Sequence, residues 1–111
     1  MPILSPPLHS SPLITRHPGN PVLSRKDIPY NANCIFNAGV CKYEGRYAMI
    51  FRNDYDYTSG AHFAGCNLGL AFSEDGVHWD VAEKPFLTKE QIDLPDVWRV
   101  YDPRLTVLDG K

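Results

Sequence analysis

The sequence predicts an all-β protein, and two observations carry that prediction. Short runs rich in Val, Ile, Phe and Tyr alternate with acidic-glycine turns, a pattern typical of β-hairpins. The turn glycines at positions 45, 76 and 110 are separated by 31 and 34 residues, with no helical pattern between them. Recurring β units of this size are typical of a β-propeller or a sandwich, and 111 residues would hold about two propeller blades.

The first 30 residues are predicted to form an extended arm. They contain seven of the ten prolines, and each proline removes a backbone donor and disfavours helix at the preceding residue. Val22 and Leu23 are expected to anchor the arm to a larger body. Residues 31–111 are then expected to form the partial β-propeller.

The first hairpin is predicted around Glu44-Gly45, with strands near 35–43 and 46–52. Its two runs, "CIFNAGVCKY" and "RYAMIFR", are rich in strand-forming residues on both sides of the turn.

A second hairpin is predicted around Asp75-Gly76. Leu68, Leu70 and Phe72 alternate toward one face, and Val77 with Trp79 is expected to start the return strand. A further strand is predicted near 104–108 with a turn at Asp109-Gly110, and its return strand is absent from the sequence. We therefore expect these residues to be the N-terminal part of a longer propeller.

Composition points to no polymeric partner. A net charge of −2 gives no basic stripe for nucleic acid and no polybasic membrane patch. The first residues lack the pattern of a signal peptide. Three cysteines without CxxC spacing argue against a disulfide framework or a zinc site. A cytoplasmic protein is the simplest expectation.

The motif "SEDGVHWD" is predicted to be structural. Ser73 and Asp75 are expected to accept hydrogen bonds from turn amides, Gly76 to take a positive φ, and Trp79 to pack between sheets.

The segment "RVYDPRL" carries the main candidate for chemistry, Asp102. Pro103 restricts the backbone before it, so Asp102 is expected to be extended and its carboxylate to be directed. Arg99 and Arg104 are near enough in sequence to keep it ionised or to bind a ligand themselves. A structural Arg–Asp pair and a functional carboxylate both fit this spacing.

Further polar residues bracket the first hairpin. Asn37 and Arg52 are expected to project from one rim of a blade. Their amide and guanidinium groups are suited to hydrogen bonding with sugar hydroxyls. The following loop, "NDYDYTSGAHF", adds three aromatic rings able to stack on a sugar face: Tyr55, Tyr57 and Phe63. The histidines show no metal-ligand spacing, and no phosphate loop or nucleophile elbow is present in the sequence, so neither a metal nor a covalent nucleophile is proposed.

Taken in order, "NPVLSRKDIP", "FNAGVCKYEGRYAMIFR", "FSEDGVHWD" and "VYDPRL" resemble the N-terminal part of glycoside hydrolase family 130. This family comprises five-bladed propeller enzymes and includes β-mannoside phosphorylases. The resemblance spans residues 20–108, and "YDPRL" is its most specific part.

The resemblance implies that Asp102 is the single catalytic acid of an inverting phosphorolysis. Inorganic phosphate attacks the anomeric carbon of a β-mannosyl oligosaccharide, and mannose 1-phosphate is released without a cofactor. The family's acid protonates the glycosidic oxygen through a hydroxyl of the mannose. Asn37 and Arg52 match positions that hold the sugar, and Asp54 is a weaker match.

Tyr101 and Arg104 flank the implied acid and are expected to orient it. In the family the phosphate-binding Arg, Lys and His residues come from later blades, so we expect no turnover by the 111 residues alone.

Alternatives remain open at this level. A hydrolase of the same fold differs in whether water or phosphate attacks, and a non-catalytic carbohydrate-binding β module would not need Asp102. Other five-bladed sugar enzymes need a second carboxylate, for which Asp27 and Asp54 are available. The acceptor sugar and the oligomeric state, a homo-oligomer included, are not determined by the sequence.

Overall fold

The computed structural model describes residues 9–111, so the part of the predicted arm at residues 1–8 lies outside the described residues. Four strands form one antiparallel sheet in the order β1-β2-β3-β4. The strands are β1 (Cys34–Tyr43), β2 (Arg46–Tyr57), β3 (Phe63–Ser73) and β4 (Asp80–Val81). Short 3₁₀ turns at Arg25–Asp27 and Lys89–Gln91 are the helical elements of residues 9–111. The all-β prediction is confirmed.

The first hairpin forms as predicted. Glu44 and Gly45 both have positive φ, 50° and 79°, which is the type I′ geometry that matches the twist of two paired strands. β2 was expected to end near residue 52, and this boundary is wrong. The strand continues to Tyr57 because β3 pairs with it as far as Tyr57 and Phe63. The two predicted hairpins are therefore parts of one meander.

The second predicted turn forms, but its return strand begins later than expected. Ser73 accepts a hydrogen bond from the Gly76 amide at 2.8 Å. The Asp75 carboxylate accepts bonds from the backbone amides of Val77 and His78, both at 2.8 Å. These bonds hold the chain in a loop, so pairing starts at β4 instead of at Val77. Gly76 has φ 78°, as predicted.

One face of the sheet is covered by the arm. The core cluster there contains Ile28, Met49, Phe51 and Ala71, and the last two side chains are almost fully buried. The core is also flanked by partly buried side chains, namely those of Leu23, Tyr30, Ala32, Ile35, Trp79 and Val81. Burial of this apolar surface holds the otherwise irregular arm on the sheet. Leu23 thus serves as the predicted anchor. Val22, the other predicted anchor, lines a surface groove between the arm and the first two strands.

The strand predicted near 104–108 is not formed. The segment has no ladder partner within the described residues, and unpaired extended chain does not make a strand. It runs across β1, where a Cβ on Gly39 would lie 3.0 Å from the Pro103 carbonyl oxygen. The turn after it does form, since Leu108 and Lys111 exchange backbone hydrogen bonds of 2.9 and 3.0 Å.

Within residues 9–111, no helix has the length and apolar character needed to cross a bilayer.

Candidate functional site

The segment that carries Asp102 is fastened to the sheet on both sides of that residue. Before it, Val100 is buried, and its carbonyl oxygen lies 3.2 Å from the Cys66 thiol, which donates to it. After it, Pro103 packs against Gly39 of β1, where any larger residue would crowd the backbone. Asp102 is therefore held by the backbone at a fixed position over the first hairpin.

Asp102 receives two hydrogen bonds, and both reach the same carboxylate oxygen. Asn37 Nδ2 donates to Oδ1 at 2.9 Å, and Arg52 Nη1 donates to Oδ1 at 3.2 Å. The side chain of Asp102 is 38% exposed. One oxygen is thus fixed by the protein, and the other, Oδ2, is open to a ligand.

The backbone at both ends of the Asn37–Asp102 bond is left-handed. Asn37 has φ 50° and Asp102 has φ 52°, so the prediction that Asp102 is extended is wrong. Asn and Asp tolerate this region better than most residues, but it is strained. At Asn37 it coincides with an irregularity in β1 between Phe36 and Gly39, where a bulge re-aims side chains. The strain is thus located where the two side chains meet.

Arg52 is held rigidly beside Asp102. Its Nε and Nη2 donate to the two oxygens of Asp54, each at 2.9 Å. Its guanidinium carbon lies 4.6 Å from the ring centroid of Phe36 and 5.1 Å from that of Tyr101. Asp54 is 3% exposed. The bidentate ion pair and the two aromatic contacts restrict Arg52 to one orientation.

The electrostatics of the site favour charged forms. The hydrogen bond from Asn37 lowers the pKa of Asp102 below its ordinary value, and the hydrogen bond and charge of Arg52 lower it further. The hydrogen bonds to Asp54 raise the pKa of Arg52, so the guanidinium stays protonated. Without a ligand, Asp102 is a carboxylate that accepts hydrogen bonds rather than an acid that donates one.

The two arginines nearest to Asp102 in sequence have other partners. Arg99 Nη2 donates to the carbonyl oxygen of Phe63 at 2.8 Å. Arg104 Nη1 donates to the carbonyl oxygen of Pro103 at 2.9 Å, and its charge is the weakest influence on Asp102. Arg52, which is distant in sequence, takes the role that was considered for these two arginines.

Five of the six residues selected from the sequence lie together in the structure: Asn37, Arg52, Asp54, Tyr101 and Asp102. Arg104 belongs to the same segment, but its guanidinium binds its own backbone. Phe36 was not selected, although its ring packs on Arg52. Its position beside Asn37, at the start of the segment "FNAGVCKYEGRYAMIFR", was the available signal.

The aromatic residues of the loop after β2 have different environments. Tyr55 covers Gly65, where a Cβ would overlap its ring, and burial raises the pKa of Tyr55. Tyr57 and Phe63 form an edge-to-face pair with ring centroids 5.6 Å apart. Tyr57 is mostly exposed. In residues 9–111 there is no cluster of three His, Cys, Asp or Glu side chains suited to a metal ion.

Comparison with known proteins agrees with the sequence motifs around Asp102. The sequence profile of glycoside hydrolase family 130, described as beta-1,4-mannooligosaccharide phosphorylase, matches residues 9–111. The beta-1,4-mannooligosaccharide phosphorylase of Ruminococcus albus is 30% identical over an alignment 112 residues long. The alignment covers 95% of this chain and 31% of that protein. The beta-1,2-mannobiose phosphorylase of Thermoanaerobacter sp. strain X514 is 30% identical over 115 residues, covering 88% of this chain and 34% of that protein.

The chain thus spans about a third of the length of these curated relatives. The profile match extends over every described residue and includes the Asn37–Arg52–Asp102 cluster. This chain belongs to glycoside hydrolase family 130.

Proposed function

We propose that these residues form part of a β-mannoside phosphorylase. The observation that carries the proposal is the Asp102 carboxylate, which is held through one oxygen by Asn37 and Arg52 and open at the other. In a chain of this family, such a group is suited to pass a proton to a bound glycoside. Both relatives described above are named as phosphorylases that act on mannosyl saccharides.

The proposed reaction is an inverting phosphorolysis. An oxygen of inorganic phosphate forms a bond to the anomeric carbon of a β-mannosyl unit while the glycosidic carbon–oxygen bond breaks on the opposite face. Asp102 supplies the proton that the departing sugar oxygen needs, relayed through a hydroxyl of the mannose. Since phosphate is already an ionised nucleophile, a single carboxylic acid suffices. The products are mannose 1-phosphate and a sugar shortened by one unit.

The other residues of the cluster have binding and positioning roles in this proposal. Asn37 and Arg52 hold Asp102 and offer their remaining donor capacity to the mannosyl hydroxyls. Asp54 orients Arg52 through the bidentate pair, and Tyr101 packs on the guanidinium. Arg104 is proposed to stabilise the segment that carries Asp102, through the hydrogen bond that it donates to the Pro103 carbonyl oxygen.

For Asp102 to act as an acid, its pKa must rise when substrates bind. The lowered pKa in the present structure arises from Asn37 and then from Arg52. A phosphate anion bound nearby opposes both influences, because a like charge disfavours the carboxylate. Closure of the site around the sugar adds desolvation in the same direction. Phosphate therefore serves as nucleophile and also helps to keep the proton on Asp102.

We further propose that the four-stranded meander is a blade of a five-bladed propeller, with residues 1–30 as an arm and 31–111 as the first part of the propeller. The meander, its covered face and the greater length of the relatives support this proposal. The phosphate site would then be completed by later blades, and the 111 residues alone would be inactive. We place the enzyme in the cytoplasm and expect it to be able to form a homo-oligomer.

The test uses the full-length protein that carries this sequence. β-1,4-Mannobiose is incubated with and without inorganic phosphate, and mannose 1-phosphate is followed by ³¹P NMR. We expect phosphate-dependent release, with its rate reduced roughly 10²- to 10⁴-fold in Asp102→Asn. Release of free mannose independent of phosphate would instead support a hydrolase. Saccharide binding without turnover, unaffected by Asp102→Asn, would support a non-catalytic binding module.

A further inference from the structure

Two strand residues without a role in the proposed reaction contact the segment that carries Asp102. Gly39 of β1 is buried against the backbone of residues 103–105. The thiol of Cys66 on β3 is also buried, and it donates to the carbonyl oxygen of Val100 at 3.2 Å. One contact thus precedes Asp102 in sequence and the other follows it.

Gly39 is needed here for its lack of a side chain and not for its backbone conformation. Its φ lies outside the left-handed region, so alanine is able to adopt the same backbone. An added Cβ would lie 3.0 Å from the Pro103 carbonyl oxygen and 3.2 Å from both the Arg104 Cα and the Leu105 amide nitrogen. Since all three are backbone atoms, no side-chain rotation relieves the contact, and either β1 or the segment must move.

The segment is the part that would move. Gly39 pairs with Ile50 in the β1–β2 ladder, where regular pairing resumes after the irregularity that begins at Phe36. The segment has no ladder partner within residues 9–111, so fewer hydrogen bonds resist its displacement. The ring of Pro103 locks its own φ, and a shift at the Pro103 carbonyl is therefore passed on to Asp102.

Cys66 fixes the segment on the other side of Asp102. It pairs with Asp54 in the β2–β3 ladder, next to the carboxylate that orients Arg52. Its hydrogen bond to Val100 is buried, and a hydrogen bond is stronger in the protein interior than in water. The strands that place Arg52 thus also hold the backbone that leads to Asp102.

We propose that Gly39 and Cys66 are positioning residues for Asp102. By fixing the backbone on both sides, they place Oδ1 where Asn37 and Arg52 donate to it, at 2.9 and 3.2 Å, and leave Oδ2 open. Catalytic groups must be held within about 0.5 Å of their productive position. The expected effect on rate rests on the proposed phosphorolysis, whereas the effect on the position of Asp102 does not.

The test measures phosphorolysis of β-1,4-mannobiose by the full-length protein. A shift of a few tenths of an ångström relieves the contact in Gly39→Ala. This variant is expected to lower kcat about three- to tenfold, because misplacement by about 1 Å costs roughly 100-fold. Gly39→Val should lower kcat further. KM should change less than about twofold, since Asn37 and Arg52 keep their places on β1 and β2.

The pH dependence of kcat/KM distinguishes a misplaced Asp102 from a smaller amount of active protein. The hydrogen bond from Asn37 is the largest influence that lowers the pKa of Asp102, and the charges of Arg52 and Arg104 act in the same direction. Moving the carboxylate away from these groups raises its pKa, so the limb on which activity declines as Asp102 deprotonates should move to higher pH. A smaller active fraction scales the profile without moving this limb.

Cys66→Ala is a second variant in case Gly39→Ala fails to fold. It should lower kcat and move the limb in the same direction, and Cys66→Ser should restore most of the activity because a hydroxyl also donates. Val40→Ile is the matched control for Gly39→Ala: it adds one carbon at the next residue of β1, which faces the other side of the sheet and is 49% exposed.

Val40→Ile should keep the wild-type kcat and pH profile. An unchanged kcat in folded Gly39→Ala or in folded Cys66→Ala would overturn the role of that residue. A decrease without a movement of the limb, or an equal decrease in Val40→Ile, would overturn positioning of Asp102 as its cause.

Crystal structures of the full-length protein and of its Gly39→Ala variant separate this inference from the proposed function. The distance from Asn37 Nδ2 to Asp102 Oδ1, 2.9 Å here, should be longer in the variant whether or not the enzyme turns over. If the wild-type protein shows no phosphorolysis but the distance increases, the proposed reaction fails and the positioning role stands. If phosphorolysis proceeds while the distance and kcat are unchanged in the variant, the positioning role fails and the reaction stands.

Discussion

Replacement of Arg52 by lysine is the sharpest test of the geometry around Asp102. The substitution keeps the positive charge but replaces a planar group that donates in several fixed directions with a single ammonium. Arg52 makes three hydrogen bonds: two to Asp54 at 2.9 Å and one to Asp102 at 3.2 Å. A lysine ammonium at this position is able to keep one contact with Asp54, and it loses the contacts with the Phe36 and Tyr101 rings.

The expected loss follows from these contacts. A hydrogen bond to a charged group contributes roughly 1.5–3 kcal/mol when its partner is buried, and Asp54 is 3% exposed. The longer bond to the more exposed Asp102 contributes less, because water competes there. A total of about 2 kcal/mol corresponds to roughly a 30-fold decrease in kcat/KM, since about 1.4 kcal/mol equals a factor of ten. If only the positive charge of residue 52 mattered, kcat/KM would not decrease, because lysine keeps that charge.

The assay is initial-rate phosphorolysis of β-1,4-mannobiose by the full-length protein, with the melting temperature measured in parallel. Arg46→Lys is the matched control: Arg46 lies on the same strand, and its guanidinium stacks on Phe72, with 3.8 Å between its central carbon and the ring centroid. It contacts neither Asp54 nor Asp102, so its kcat/KM should stay within about twofold of wild type. A similar result for Arg52→Lys would refute the argument that bidentate geometry positions Asp102.

Three further predictions concern stability. Phe51→Ala removes the largest buried apolar side chain and should lower the free energy of unfolding by about 3–5 kcal/mol in urea denaturation; a loss under about 1 kcal/mol would contradict close packing there. Hydrogen bonds, first from the His78 side chain, lower the pKa of Asp75, so its contribution is present above about pH 4, the unfolded value, and is lost on acidification. Asp75→Asn should therefore melt lower at pH 7 and show a smaller decrease toward pH 3, whereas parallel melting curves would rule this out. Burial raises the pKa of Tyr30 to about 12, so wild-type stability should decrease above about pH 10. Tyr30→Phe should lessen that decrease, and an unchanged alkaline limb would exclude Tyr30 as its source.

The all-β class was readable from the sequence because its determinants are local. A two-residue acidic-glycine turn between β-rich runs specifies a hairpin through the positive φ of its own residues, and the first hairpin formed where expected. Strand ends were less readable. The second strand was expected to end near residue 52, yet it continues through Asn53 and Asp54, and both are buried. Asn53 Nδ2 donates to the Asn31 carbonyl oxygen and to Asn67 Oδ1, partners that only the folded chain brings near.

The same distinction applies to the site. The motif around Asp102 was readable, but its hydrogen-bond partners are 65 and 50 residues away in sequence, at Asn37 and Arg52. Local reasoning therefore considered Arg99 and Arg104 as the charges that act on it. Local sterics also predicted an extended Asp102, whereas its φ is 52°. Contacts with two distant strand residues accompany a conformation that the preceding-proline rule disfavours.

The proposed acid is surrounded by groups that favour its ionised form, and this has a consequence for the reaction. Asn37 and Arg52 stabilise the carboxylate, and the pKa of Asp102 is lowered accordingly. If these two residues served only to keep Asp102 protonated, their placement would be counterproductive. Their placement is useful if the proton is taken up with phosphate and given up in the transition state, because the carboxylate left after proton transfer is then already stabilised. The cluster is therefore better suited to the end of the proton transfer than to its beginning.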